Sequence, residues 1–159
     1  MRYLVVDIST VLYRFRHATN TVDREIAKAD CIQSAFISLH KAFTMFSIDH
    51  VVVAFDSLSW RYSIYPAYKA NRKEKKKKQD QIVKADVKEL CATLYDFISG
   101  TTAMTAVRVD GAEADDVIAQ WVMTHPDDEH IIFSGDSDFR QLLAPNISLY
   151  SAKDDVLWM

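Results

Sequence analysis

With 159 residues, 49% of them hydrophobic, the chain is long enough for one compact domain with a substantial core, and its composition excludes intrinsic disorder. Its net charge of -3 is unevenly placed: residues 69 to 84 hold eight Lys/Arg against Glu74 and Asp80, leaving 11 basic and 20 acidic residues elsewhere. A basic segment on an acidic body points to a polyanion held by one part and cation chemistry done by another. The N-terminal apolar run Leu4-Val5-Val6 is broken at once by Asp7, which excludes a signal peptide, and no apolar stretch reaches membrane-spanning length. Cys31 and Cys91 lack metal or redox spacing and read as ordinary thiols of a reducing, cytoplasmic compartment.

Tyr3 to Ile8 is a nearly continuous branched run, the pattern of a parallel strand buried on both faces, and Asp7 falls at its C-terminal end. Residues 9 to 29 are mixed; Tyr13-Arg14-Phe15-Arg16-His17 interleaves aromatic and basic side chains in a way that suits either nucleic-acid contact or an ordinary helical turn. Asp30 is expected to cap a helix whose apolar stripe is Ile32, Phe36, Leu39, Phe43 and Phe46. A second buried strand, Val51 to Phe55, again ends on an acid, Asp56. The chain then turns aromatic and basic through Trp60-Arg61-Tyr62, Tyr65 and Tyr68-Lys69 to Arg72, before the run Lys73 to Lys78. Lysine runs alone are usually solvated faces, but here stacking surfaces precede phosphate-binding cations. A helix with Val83, Val87, Leu90, Leu94 and Phe97 on its core face follows, ending near Gly100.

Met104 to Val109 predicts a third strand, and after Asp110-Gly111 comes a helix carrying Glu113, Asp115 and Asp116, with Ala114, Val117, Ile118, Trp121 and Val122 inward. Glu113 and Asp116 share one side of its first turn, with Asp115 offset. His130 to Ser134 is a fourth strand, followed by Asp136, Asp138 and a short helix from Phe139 to Leu143. Ile147 to Tyr150 and Val156 to Trp158 are expected to form two last strands joined at Lys153-Asp154-Asp155.

Alternating strands and helices predict an α/β fold, a mostly parallel sheet covered on both faces, in which ligands bind beyond the carboxyl ends of the strands. Asp7 and Asp56 end strands, and both acidic runs follow strands, so seven carboxylates are expected along one rim. Acids at a helix start also complement its dipole. A cluster of them, however, repels by roughly 4 kcal/mol per pair at about 4 Å and calls for cations. Oxygen-only donors favour Mg2+ or Mn2+, and seven acids can hold two such ions, the arrangement that hydrolyses phosphodiesters.

Five pieces in order, Asp7 with Tyr13 to His17, Phe55-Asp56-Ser57, the Tyr-x-x-Tyr-Lys-x-Asn-Arg run from Tyr65 to Arg72, Glu113-Ala114-Asp115-Asp116, and Gly135-Asp136-Ser137-Asp138, resemble the N-terminal part of the 5′ nuclease family. This family comprises the flap endonucleases, the 5′-nuclease domains of bacterial DNA polymerases and bacteriophage 5′-3′ exonucleases. The resemblance implies a PIN-like core and a metal-dependent 5′ nuclease acting on 5′ ends or flaps of DNA, in the cytoplasm, or the host's for a bacteriophage chain. By the same resemblance Asp7, Asp56, Glu113, Asp115, Asp116, Asp136 and Asp138 match the metal-binding acids, with Asp136 also counted as catalytic. Lys69 and Arg72 match the basic pair that meets the scissile phosphate. A helical arch would span about residues 61 to 84, with Arg61, Tyr65, Tyr68, Lys73, Lys75, Lys76, Lys77 and Lys78 as nucleic-acid contacts and Arg14 and Arg16 along the approach. The whole chain, residues 1–159, would be one catalytic domain, and the family's helix-hairpin-helix region is absent from it. A natural minimal nuclease, a split one completed by a second polypeptide, and a piece of a longer protein all fit. Two other readings stay open: a non-catalytic module that binds 5′ single strands or forks, and a PIN-type ribonuclease.

Overall fold

The computed structural model describes residues 1–19, 21–58, 61–67 and 78–159. In chain order its elements are β1 (Arg2–Asp7), α1 (Ile8–Ala18), α2 (Arg24–Met45), β2 (His50–Ala54), the single turn α3 (Arg61–Ile64), α4 (Lys78–Thr101), β3 (Thr105–Val107), α5 (Ala114–Thr124), β4 (Glu129–Phe133), a 3-10 helix (Ser137–Leu142), β5 (Ile147–Ser151) and β6 (Val156–Trp158). The six strands form one sheet in the order β3-β2-β1-β4-β5-β6. All pairings are parallel except that of β5 with β6.

The apolar runs become central strands because both faces are covered. Leu4, Val6, Val51, Val53, Ile131 and Phe133 pack on one side with residues of α1, α2 and α4. Val5, Val52, Ala54, Ile132 and Leu149 pack on the other, with Ala114, Val117, Ile118 and Val122 of α5. Adjacent residues of a strand point to opposite faces, so a strand between two helical layers needs apolar side chains at every position. The chain winds outward from β1 through β2 to β3, then returns to β4 on the far side of β1. At the carboxyl ends of β1 and β4 the connections therefore leave in opposite directions, opening the crevice typical of a topological switch point.

Three local expectations need correction. Helix α2 begins at Arg24, not after Asp30, because Asp23 is its cap: the Asp23 carboxylate accepts from Glu25 N at 2.9 Å and Ile26 N at 3.3 Å. Its first three residues, Arg24 to Ile26, are exposed, and the buried Ala27 and Lys28 after them form no apolar stripe to betray it. The buried face of α2 is Cys31, Ala35, Leu39 and Ala42, leaving Phe43 at the surface, and that of α4 ends on Ile98 while Phe97 stands half in solvent. Residues 9 to 18, without a clear period in sequence, are helix α1 following β1 directly. Removing the Asp23 cap with Asp23→Ala is expected to cost about 1 kcal/mol in urea denaturation; an unchanged midpoint would show that α2 holds its start without it.

Candidate active site

Every strand-end acid of the sequence lies at the carboxyl rim of the sheet. Asp7 is the last residue of β1 and pairs in register with Ala54, two residues before Asp56. Its carboxylate is buried, with Oδ2 accepting from Thr10 Oγ1 at 2.6 Å and from Ser134 Oγ, beyond β4, at 3.3 Å. Burial pushes the Asp7 carboxyl up and the Asp56 charge adds to this; the hydroxyls of Thr10 and Ser134 act against it, and the result is about 6 against an ordinary 3.8. Asp56 accepts from Ser9 Oγ and, at 2.7 Å, from Ala114 N, so it ties the end of β2 to the first turn of α5. Cys91 of α4 is close enough that the charges of Asp56 and Asp7 act on it, after burial, to push its thiol up to about 12. It stays a neutral thiol at physiological pH and adds no ligand.

The first turn of α5 carries the densest cluster. One carboxylate oxygen each of Glu113, Asp115 and Asp116 lies within 4.8 Å of the others. Burial and the neighbouring charges of Asp116 and Glu113 raise the Asp115 carboxyl. Asp116 Oδ2 accepts from Glu113 N at 3.2 Å, so helix formation itself aligns these acids. Read locally, the acidic runs have no basic neighbour, and this is corrected by the fold. Arg61 Nη1 donates to Glu113 Oε2 and Asp116 Oδ2, both at 2.9 Å, and Nη2 donates to Asp116 Oδ1 at 3.1 Å. Arg61, expected as a nucleic-acid contact, is thus drawn into the acidic cluster.

Asp136 and Asp138 follow β4 at the same rim. Asp136 N donates to Ser134 Oγ at 3.1 Å, which links this loop to Asp7, and Asp136 Oδ1 accepts from Asp138 N at 2.9 Å. These two acids join the rim through that relay and stand outside the three-acid cluster. The hydroxyls of Ser9, Thr10 and Ser134 were not singled out in the sequence; their signal is position alone, polar residues immediately past buried strands. The donor set suits a hard divalent ion: carboxylate oxygens only, one of them on a buried acid whose charged form a cation would stabilise.

Of the aromatic and basic residues expected at the interface, Tyr68, Lys69, Arg72, Lys73, Lys75, Lys76 and Lys77 lie outside the described residues. Arg14 is exposed over the Phe15 ring, Tyr65 is largely exposed, and Lys78 opens α4 at the surface. Arg16 departs from expectation: it is 3% exposed, its Nε donating to the buried Asp86 at 2.9 Å, so its charge is spent inside the protein and does not face an approaching strand. Among the described residues no helix is long and apolar enough to cross a membrane.

Comparison with known proteins bears on the family and the fold. The family described as 5′-3′ exonuclease, N-terminal resolvase-like domain, matches residues 2–158. Flap endonuclease Xni of Shewanella loihica is 30% identical over 154 residues, which are 94% of this chain and 55% of that protein. DNA polymerase I of Treponema pallidum is 28% identical over 162 residues, 97% of this chain and 15% of the polymerase. The chain thus spans about half of the one relative and a small part of the other. Among solved structures, a T5 protein co-crystallised with metal ions superposes with a TM-score of 0.78 at 21% identity, over 99% of this chain and 58% of that one. The T5 5′-exonuclease with bound zinc has a TM-score of 0.74, also at 21% identity, over 99% of this chain and 58% of that one. At that identity the likeness concerns the fold alone, a mostly parallel sheet with helices. With its sequence matched from residue 2 to residue 158, the chain belongs to the 5′-3′ exonuclease family, as the N-terminal, resolvase-like domain.

Proposed function

We propose that this chain is a metal-dependent 5′ nuclease domain, hydrolysing phosphodiester bonds at the 5′ ends or flaps of DNA in the cytoplasm. The observation that carries this reading is the convergence of Glu113, Asp115 and Asp116 to within 4.8 Å at the rim where Asp7 and Asp56 also end. Residues 1–159 would form one catalytic domain. Glu113, Asp115 and Asp116 would hold one divalent ion, Mg2+ or Mn2+, and Asp7, Asp56, Asp136 and Asp138 would complete a two-ion set. Divalent ions held there would neutralise phosphate charge and make water a better nucleophile. The protein's own groups prepare the site. Thr10 and Ser134 orient Asp7, and Ser9 and the Ala114 amide orient Asp56, so both carboxylates are fixed before substrate arrives. Lys69 and Arg72 would hold the scissile phosphate, and the basic segment up to Lys78 would gather the single strand, with Arg14 and Tyr65 at its approach.

The test is cleavage of a 5′-flap oligonucleotide with Mg2+ or Mn2+ by the parent and by Asp136→Ala. Loss of about 3 kcal/mol of transition-state stabilisation corresponds to a rate at least about 100-fold lower in the variant. The Arg61 fork on Glu113 and Asp116 favours a second reading, a module that binds 5′ single strands without cutting them, because it neutralises acids a catalytic ion would need. Flap binding with no metal-dependent cleavage by the parent would establish that module. Faster cutting of a matched RNA flap than of the DNA one would instead identify a ribonuclease.

A further inference from the structure

The acidic cluster at the start of α5 already holds a cation of the protein's own. Arg61 Nη1 bridges Glu113 Oε2 and Asp116 Oδ2 at 2.9 Å each, and Nη2 takes the remaining Asp116 oxygen at 3.1 Å. With Glu113 N also donating to Asp116 Oδ2, both oxygens of Asp116 are engaged, and one of them twice. In this arrangement Asp116 has little capacity left for a metal ion, although its oxygen lies with those of Glu113 and Asp115 inside a 4.8 Å set. A guanidinium and a divalent ion on the same oxygens compete for their lone pairs and, both being cations, repel one another.

The surroundings of Arg61 make it a cation that can leave. It opens α3, a single turn of four residues, and comes 52 and 55 residues before its partners. Among the described residues, the apolar side chains near it stand in solvent: Leu58 and Ile64 are each 75% exposed and Tyr65 62%. Releasing the fork therefore exposes no core at these three residues. The pair itself is only partly buried, with Arg61 at 31%, Glu113 at 13% and Asp116 at 30% side-chain exposure, so water can take over each group as it separates.

We propose, on the divalent-ion reading of this rim, that Arg61 is an internal counter-cation: it holds Glu113 and Asp116 in the metal-free protein and yields them to the incoming ion. It is a positioning residue that sets metal affinity. Three carboxylates this close repel one another, and Arg61 keeps them folded in register until an ion replaces it. The ion must displace the fork before it binds, and its apparent affinity is reduced by the fraction of molecules in which the fork is closed. Removing the guanidinium is then expected to weaken the metal-free fold and to tighten metal binding.

The experiment is calorimetric titration of Mn2+ into the metal-free parent, Arg61→Gln, Arg61→Lys and Glu113→Gln, with thermal melts of each. Arg61→Gln is expected to bind Mn2+ about tenfold tighter than the parent, with Arg61→Lys between them and Glu113→Gln much weaker. The metal-free Arg61→Gln protein should melt below the parent, and saturating Mn2+ should close most of that gap. Should Arg61→Gln not fold, the parent decides by itself: on Mg2+ titration its Arg61 Nη–H resonances should move from carboxylate-bonded to solvated positions, with the midpoint seen by heat. Equal or weaker Mn2+ affinity in Arg61→Gln, or an Arg61 resonance unmoved at saturating Mg2+, overturns the counter-cation and leaves the metal site standing. A parent that takes up no ion sinks both together.

Discussion

Replacing Asp86 with alanine is expected to remove about 3 to 5 kcal/mol of stability, a large part of what holds a domain of this size together. Asp86 sits on α4 with no exposed surface, accepting from Arg16 Nε at 2.9 Å and from Arg24 Nη2. Burial would push its carboxyl up, but the hydrogen bonds of Arg24 and Arg16 outweigh burial and hold it below the ordinary carboxylate range. The stabilisation is therefore present above the ordinary carboxylate range and is lost as pH falls through the lowered value. Arg16 is itself buried, so truncating Asp86 leaves an uncompensated charge inside the contact of α1 with α4; Arg24, half exposed, simply turns to water. Deleting the buried charge as well separates the two effects: Arg16→Met combined with Asp86→Leu should recover most of the loss in urea denaturation, because a packed apolar pair replaces a costly ionic one. A loss below about 1 kcal/mol in Asp86→Ala would mean that water reaches Arg16 readily.

The same residues show what a sequence discloses and what it conceals. The strands were readable because a parallel strand covered on both faces must be apolar throughout, so the acids Asp7 and Asp56 stood out as strand ends. The first turn of α5 was readable for the complementary reason: Glu113 and Asp116 are three residues apart on one helix, and local geometry alone brings them together. The β5–β6 hairpin was marked by Lys153-Asp154-Asp155, where Asp155 takes φ 52° and accepts from the Tyr150 hydroxyl at 2.8 Å. Contacts between distant segments left no such trace. Asp86 occupies the inward face of a helical stripe, where a polar residue looks like a break in the pattern, and the partners that make it tolerable lie 70 and 62 residues away. Arg61 reads as one more cation of a basic segment until the fold carries it to Glu113 and Asp116. Local periodicity reports which face is inward; it does not report which charges meet there.

On the proposed nuclease reading, Asp7→Asn is expected to lower metal-dependent cleavage by about a thousandfold or more, while making the metal-free protein more stable at neutral pH. The two effects have one cause. Asp7 is buried beside Asp56, and burial followed by that charge raises its carboxyl from 3.8 to about 6 in the folded state. Between these values the folded protein binds more protons than the unfolded chain, so stability falls as pH rises through this window and stays reduced above it. At about 1.4 kcal/mol per pH unit, the ionised Asp7 withholds up to roughly 3 kcal/mol at pH 7. Asparagine keeps an oxygen to accept from Thr10 and Ser134 but carries no charge, and it should return about 1 to 3 kcal/mol of this in the absence of metal. At pH 4, close to the ordinary carboxylate value, the parent carboxyl is protonated in the folded state and partly so in the unfolded one, and the advantage should shrink below about 1 kcal/mol. A divalent ion beside Asp7 is expected to relieve the same penalty in the parent, so Mg2+ should raise the parent's melting temperature at pH 7 and barely move that of Asp7→Asn. Melts at pH 4 and pH 7, with and without Mg2+, check each step. An Asp7→Asn protein less stable than the parent at pH 7 without metal would show that the Asp7 charge is already compensated, and that this rim stores no strain for an ion to release.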